Sequence, residues 1–193
     1  MTIPDSSPHS ERQRTDDLVI VSPSMRRLAG FLWLVAILLL PVAALTRGPA
    51  AVLFALGPST FLTAFAWFVL WRPHIRCADD ALVIADVRRT TTMAWRRVQG
   101  VRDRYGIEIE TSEGLRRAWV APARSSRLAI GARRLTVAEA AERIRDRIPP
   151  VIEEDGPPPA TVVPAPITTR VHGWTVALLV VLGLLASVLG ARI

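Results

Sequence analysis

The sequence predicts an α+β membrane protein with three transmembrane helices and a cytosolic domain of short antiparallel strands that one helix closes. Three observations predict this class. The chain has three uncharged apolar stretches of helix length, a middle region whose apolar period changes from that of strands to that of a helix, and a proline-rich stretch before the last apolar one. Its 193 residues are enough for one modest domain besides the helices.

The chain begins with a polar segment. Residues 1–25 are rich in Ser, Pro, Asp and Arg and contain one short apolar run, Leu18–Val21. Because this composition buries too little apolar surface to offset the conformational entropy of the chain, residues 1–25 are predicted to be a disordered tail.

Two apolar stretches follow, and residues 26–71 are predicted to be a transmembrane hairpin. Leu28–Leu45 and Ala51–Trp71 carry no charge, and roughly 20 apolar helical residues cross a bilayer core. A cleaved signal peptide is the alternative for the first stretch, with Val42–Ala44 as its cleavage site, although the preceding polar segment is long for such a peptide. Three buried core helices are disfavoured, because a chain of this length cannot surround them.

The C-terminal part is predicted to be a linker followed by a third transmembrane helix. Residues 149–172 contain seven of the fifteen prolines, which favours an extended chain. Residues 173–193 contain the uncharged run Trp174–Gly190. This run is again long enough to cross a bilayer.

Arginines near the ends of the helices predict the orientation of the chain. Arg26 and Arg27 precede the first helix, whereas the loop after it has only Arg47. The arginine-rich region 72–148 follows the second helix. The N-terminus and this region are therefore predicted to be cytoplasmic.

Residues 72–148 are predicted to form one domain that begins with antiparallel strands. Ala81–Ala85 is an apolar run with strand character. Ile107–Thr111 alternates apolar and charged residues, as a half-buried strand does. Ser112–Gly114 has the length of a hairpin turn before a returning strand, Leu115–Ala121.

The period then changes to that of a helix. Apolar residues at positions 137, 140, 141, 144 and 148 share one helical face. Thr136 and Glu139 have the spacing of a capping box at the start of this helix, and Pro149 marks its end. The strands are thus predicted to be closed by one amphipathic helix.

The order of these elements resembles the bacterial pleckstrin-homology-like (PH-like) family, in its small membrane-anchored form of the actinobacterial type. The resemblance rests on two membrane helices leading into IRCADDALVIADVRR, on the segment TTTMAWRRVQGV, on the hairpin GIEIETSEGLRRAWVA and on the closing helix. It implies a β-sandwich or partly open barrel capped by the C-terminal helix, with Trp95, Val98, Val101 and Gly114 as fold-defining residues. It also implies a location in the bacterial cell membrane and no enzymatic activity. The third helix departs from the two-helix layout common in that family.

No catalytic or metal-binding residues are predicted. His9, His74 and His172 lack a set of partners at metal-ligand spacing, and the single Cys77 excludes an intrachain disulfide and a cysteine-based zinc site. The sequence has no Gly-rich phosphate loop, no nucleophile elbow and no HExxH motif. We therefore expect no enzymatic activity and no cofactor.

Positive charge is concentrated in the middle of the chain. All 24 basic residues are arginine, and residues 72–148 contain 17 of them against 10 acidic residues, an excess equal to the net charge of +7. Anionic headgroups attract a juxtamembrane cation by about 1 kcal/mol within a Debye length of roughly 8 Å. Four arginines are therefore predicted to bind anionic lipid: Arg72 and Arg76 beside the second helix, and the loop pair Arg88 and Arg89.

The other arginines are expected to pair with nearby carboxylates. Arg96 and Arg97 are adjacent. Strand alternation would place them on opposite faces of a sheet.

These features predict a non-catalytic membrane protein whose basic domain binds anionic lipid, recruits protein partners, or both. The alternative is a structural subunit of a larger membrane complex that acts through protein–protein contacts. Nucleic-acid binding is disfavoured, because the domain is tethered to a membrane and has few aromatic residues on which bases stack.

Overall fold

The computed structural model describes residues 18–123, 125–149 and 166–192. Within these ranges the chain is α+β, with ten strands and four α-helices. The helices are α1 (Pro23–Arg47), α2 (Ala51–Phe65), α3 (Val137–Arg145) and α4 (Gly173–Gly190). The strands are β1 (Leu18–Val21), β2 (His74–Cys77), β3 (Ala81–Ala85), β4 (Arg89–Ala94), β5 (Val98–Arg102), β6 (Glu108–Thr111), β7 (Gly114–Arg117), β8 (Leu128–Ile130), β9 (Arg133–Leu135) and β10 (Thr168–Val171).

Three of the helices are long and apolar enough to cross a membrane, as the sequence predicts. α1 begins after Ser22, whose hydroxyl accepts a hydrogen bond from the Met25 amide. α2 continues into a π-helical turn, Ala66–Trp71, so that this stretch has 21 residues. α4 is the third.

Small residues bring α1 and α2 into close contact. The buried side chains of α1 are Ala29, Ala36 and Ala43, which recur every seven residues along one face. Ser59 of α2 is also buried, and its hydroxyl donates a hydrogen bond of 2.9 Å to the Ala36 carbonyl. Close backbone approach through small residues is typical of helix pairs in membranes.

α4 packs against a different face of α2. A Cβ atom at Gly57 would lie 2.8 Å from Leu189 Cδ1, and one at Gly183 would lie 3.4 Å from the Phe61 ring. Glycine thus permits close contact on both helices. α2 packs against both other long helices.

Two antiparallel sheets and α3 share one core. Seven strands form the large sheet in the order β10-β4-β3-β2-β1-β8-β9, and β5, β6 and β7 form the small sheet. Fully buried side chains come from the large sheet (Ile75, Leu82, Met93), from the small sheet (Ile109) and from α3 (Ile144). The antiparallel strands that the sequence predicts for the middle of the chain are confirmed.

Leu18–Val21 forms β1 inside the large sheet, which corrects the prediction of a disordered tail for this part of residues 1–25. β1 pairs with β2 and β8, and Ile20 is fully buried. Four residues cannot build a core alone, but a strand between two others satisfies its backbone groups on both sides. Residues 1–17 of the predicted tail lie outside the described residues.

Thr168–Val171 forms β10, which corrects the C-terminal end of the linker predicted over residues 149–172. β10 pairs with β4 over all four residues. The large sheet therefore recruits β1 and β10 from outside the predicted domain limits of 72–148. Residues 150–165 of the linker lie outside the described residues.

α3 confirms the predicted closing helix and its capping box, but it ends at Arg145 and not directly before Pro149. The Thr136 hydroxyl accepts a hydrogen bond from the Glu139 amide, and the Glu139 carboxylate accepts one from the Thr136 amide. The hydrogen bond from the Thr136 amide, with a second from its hydroxyl, lowers the pKa of Glu139. The apolar face, from Val137 to Ile144, is buried against the core.

The segment around Trp95 differs in part from its prediction. Trp95–Arg97 forms a single 3-10 turn between β4 and β5, so strand alternation does not separate Arg96 from Arg97. The Trp95 ring is buried, and its indole N–H donates a hydrogen bond of 2.8 Å to the Ala78 carbonyl. Val98 and Val101 are buried in the same core.

The predicted hairpin is present as β6 and β7, but its second strand is shorter than predicted. Gly114 begins β7 with a φ of +116°, which side chains other than glycine rarely adopt. β7 ends at Arg117, whereas Ala118–Ala121 leaves the ladder. Ala118, Val120 and Ala121 of this segment stay buried.

Candidate functional site

The three long helices join the large sheet at one end. β1 leads into α1 through Ser22, β10 leads into α4 through His172, and the π-helical turn leads into β2 through Arg72 and Pro73. β1 and β10 therefore run toward the helices and β2 runs away from them, as their antiparallel pairing requires. We call this end the helix edge, comprising Ser22, Arg72–His74, Asp86–Arg89 and Val171–His172.

The turn between β3 and β4 belongs to the helix edge because of the strand register. Ala85, the last residue of β3, pairs with His74, and Arg89, the first residue of β4, pairs with Val171. Asp86–Arg88 lies beyond both pairs, next to the helices.

The helix edge brings together three of the four arginines predicted to bind lipid. Arg72 follows the π-helical turn, Arg88 lies in the β3–β4 turn and Arg89 begins β4. Arg76 lies two residues further along β2 than His74, which at roughly 3.3 Å per residue sets it about 7 Å from the edge. Its side chain is exposed on the sheet.

His172 connects the start of α4 with the end of the π-helical turn. Its Nε2 lies 2.9 Å from Arg72 Nη2 and 3.0 Å from Thr90 Oγ1. Because a guanidinium only donates, His172 Nε2 accepts the hydrogen bond from Arg72. The His172 amide donates a hydrogen bond of 2.7 Å to the Arg88 carbonyl. Desolvation, with the charges of Arg72 and Arg170, lowers the pKa of His172, so the ring stays neutral and accepting.

Sequence reasoning did not find this histidine as a contact of Arg72. The two residues lie 100 positions apart. They are brought together by the pairing of β10 with β4. No local sequence pattern predicts this pairing.

Acidification is expected to weaken the attachment of β10 and α4 to the rest of the protein. The folded-state pKa of His172 is below its unfolded value of 6.5. Its contribution to stability is therefore present above pH 6.5 and is lost as the pH falls from there through the folded-state pKa. Thermal melting of the full chain in mild detergent, followed by circular dichroism, should show a midpoint that falls between about pH 7.5 and pH 5.5.

The matched control is His172→Gln, whose side-chain oxygen still accepts a hydrogen bond but does not titrate. This variant should lose less stability over the same pH range. An equal fall in both proteins would contradict a role for His172 protonation.

A cluster of aromatic rings lies between α1 and the π-helical turn that leads to the helix edge. Trp33 of α1 lies 6.3 Å from Trp67 and 5.2 Å from Trp71 between ring centroids. The Arg26 guanidinium lies 4.9 Å from the Trp71 ring, in cation–π contact. This contact holds Arg26, one of the arginines on which the predicted orientation rests, beside the end of the α2 stretch.

Several arginines away from the helix edge are engaged by carboxylates. Arg102 forms an ion pair with Glu110, and Arg116 Nη2 lies 3.6 Å from Glu113 Oε2. Arg117 Nε donates a hydrogen bond of 2.9 Å to Oε1 of the buried Glu108. The small sheet therefore balances much of its own charge.

Candidate chemistry elsewhere in the described part of the chain is limited. No three His, Cys, Asp or Glu side chains among the described residues lie close enough to hold a metal ion. Cys77 is buried, and desolvation raises the pKa of its thiol to about 11. The thiolate, which is the reactive form, is therefore scarce at neutral pH.

Comparisons of the chain with family models, with curated proteins and with solved structures found no match. The resemblance to PH-like domains thus stays a prediction.

Proposed function

We propose that the protein is a non-catalytic integral membrane protein that presents a basic domain at the cytoplasmic face of the bacterial cell membrane. The observation that carries the proposal is the position of Arg72, Arg88 and Arg89 at the sheet end where three apolar helices attach. If those helices span the bilayer, this end lies at headgroup level, where each cation gains about 1 kcal/mol from anionic lipid. The domain would bind anionic lipid there and offer its remaining surface to protein partners.

The proposal includes a PH-like fold for the domain. Two antiparallel sheets around one core and a helix that follows them support it. The burial of Trp95, Val98 and Val101 in that core is consistent with the roles that the resemblance implies. β1 and β10 are additions that tie the domain to the helices on both sides.

Cysteine accessibility tests the membrane placement and its orientation. The native Cys77 is buried with a pKa of about 11, so introduced cysteines are labelled selectively. Ala50 is exposed between α1 and α2, and Asp80 is exposed in the β2–β3 turn. A membrane-impermeant maleimide should label Ala50→Cys in intact cells. It should label Asp80→Cys only after the cells are permeabilised. The opposite pattern would show that the orientation is the reverse of the proposed one. Labelling of both variants in intact cells would contradict the proposed topology.

Two adjacent arginine pairs provide a matched test of lipid binding. Arg88 and Arg89 lie at the helix edge, and Arg96 and Arg97 lie in the 3-10 turn that follows the opposite end of β4. Replacing the first pair with glutamine should weaken binding of a short-chain phosphatidylglycerol by roughly 30-fold, since two contacts of about 1 kcal/mol are lost. Native mass spectrometry of the full chain in mild detergent, titrated with that lipid, measures the affinity.

The control variant, Arg96→Gln with Arg97→Gln, removes the same charge and should lose much less affinity. Binding should also weaken with added salt, because screening shortens the reach of surface charge. Equal losses in the two double variants, or equal binding of phosphatidylcholine, would refute a lipid site at the helix edge.

A second candidate function is that of a structural subunit in a larger membrane complex. The observation that favours it is β10, an edge strand whose four residues are all exposed. Edge strands offer unpaired backbone groups to another chain. Co-purification of stoichiometric partners in mild detergent, lost on replacing Thr169 with proline, would favour this function.

A further inference from the structure

Trp119 projects a large aromatic ring from an otherwise buried segment. It is 47 % exposed, whereas Ala118, Val120 and Ala121 are almost completely buried. The backbone on either side of Trp119 is thus held by the core. Trp119 is therefore exposed at a fixed position on the surface and not in a loose loop.

Two contacts hold this segment in place. The Ala118 amide donates a hydrogen bond of 3.0 Å to the Ile107 carbonyl. The Trp119 amide donates one of 2.8 Å to Asp86 Oδ1, in the β3–β4 turn of the helix edge. Burial raises the pKa of Asp86 against the opposing effects of the Trp119 hydrogen bond and of Arg89. The second of these hydrogen bonds thus joins the Trp119 backbone directly to the helix edge.

The chemistry around Trp119 fits the headgroup region of a bilayer. Arg88 lies in the same turn as Asp86, Arg89 follows it at the start of β4, and both supply positive charge. Tryptophan favours the membrane interface, because its ring is apolar and its N–H can still meet a polar partner. A protein partner is the other possible occupant, but the basic turn next to the ring and the attached helices favour lipid.

We propose that Trp119 is a membrane-interface anchor, which inserts at headgroup level and holds the small sheet against the same leaflet that the helices cross. This inference rests on the proposed membrane placement of the helix edge. The domain would then contact the leaflet at two places, through the arginines of the large sheet and through Trp119. Its orientation on the membrane would be fixed rather than free to tilt.

Quenching by spin-labelled lipid tests the anchor in the full chain reconstituted in nanodiscs. Three variants, each with one introduced cysteine besides the buried Cys77, carry the same fluorophore: Trp119→Cys, Leu115→Cys and Val171→Cys. Leu115 is 49 % exposed and lies near the start of β7, so it matches Trp119 in exposure but not in position. Val171 is 74 % exposed at the helix edge and reports on the membrane placement itself.

Lipids with a nitroxide at the headgroup should quench the probes at 119 and 171 about threefold more than the probe at 115, since only the first two lie at the interface. Strong quenching at 171 with equal, weak quenching at 119 and 115 would overturn the anchor and leave the membrane placement standing. Weak quenching at all three positions would overturn both.

A second measurement avoids the cysteine at position 119. Trp119→Phe keeps an aromatic ring but removes one indole. Most of the other tryptophans lie in or beside the apolar helices and are quenched by brominated lipid in both proteins. If Trp119 is inserted, the quenched share of the tryptophan emission should therefore stay nearly the same or fall slightly in the variant. A clearly higher quenched share in the variant would contradict insertion of Trp119, because removing an unquenched indole raises that share.

Discussion

Replacing Ile20 with alanine is expected to destabilise the domain by about 2–5 kcal/mol, the range for such truncations in packed cores. Ile20 is fully buried, and its backbone partners are Ile75 of β2 and Ile130 of β8. The lost side chain would leave a cavity inside the large sheet. A chain starting at residue 72 would lack this strand altogether, so we expect the range 72–148 not to fold alone.

Val19→Ala is the matched control in the same strand. Val19 is 36 % exposed, so its truncation should cost less than about 1 kcal/mol. Hydrogen exchange in mild detergent measures both effects, and Ile20→Ala should speed exchange in β2 and β8. Equal exchange in the two variants would contradict the position of β1 between those strands.

Replacing Gly106 with alanine is expected to destabilise the domain considerably more than replacing Gly114. Both glycines have positive φ angles, +106° and +116°, and holding another residue there costs on the order of 1–3 kcal/mol. A Cβ at Gly106 would lie 1.9 Å from the Ala121 carbonyl oxygen, whereas no atom lies within 4 Å of one at Gly114. The backbone itself must move to relieve the clash at Gly106.

Thermal melting of the two variants separates conformational strain from this clash. Gly114→Ala reports the strain alone, and the additional loss in Gly106→Ala reports the contact with the segment that carries Trp119. Similar midpoints for both variants would show that the segment does not pack against Gly106. A larger loss of stability in Gly106→Ala would support close packing of Gly106 against the segment that carries Trp119.

The features that sequence reasoning predicted correctly are those set by local composition or period. Ala81–Ala85 is a strand over the predicted residues, because its apolar residues need burial and its length fits a sheet. The helix after Thr136 is marked by its own capping residues and apolar face. The three apolar helices follow from length and absence of charge.

The features it missed depend on partners distant in the chain. Leu18–Val21 and Thr168–Val171 are only four residues each and adjoin polar or proline-rich sequence, so average composition conceals them. Their strand conformation is stabilised by pairing with β2, β8 and β4. Local propensity has little influence on such short segments.

The candidate site shows the same division. Arg72 was predicted from its place beside a helix. Arg88 and Arg89 were predicted to be a loop pair, which is correct for Arg88, whereas Arg89 begins β4. The contacts of Arg72 with His172, and of Trp119 with Asp86, join residues 100 and 33 positions apart. No sequence period extends across such distances.

The sequence by itself determined the three apolar helices, the excess of arginine between them and the capped helix that closes the domain. Each of these depends on burial or charge within a few neighbouring residues. Only the tertiary structure decided that both flanking segments become strands, that three helices meet one sheet edge, and that a tryptophan lies exposed beside it. The physical reason is that these features arise from strand pairing, whose hydrogen bonds join residues that the chain keeps far apart.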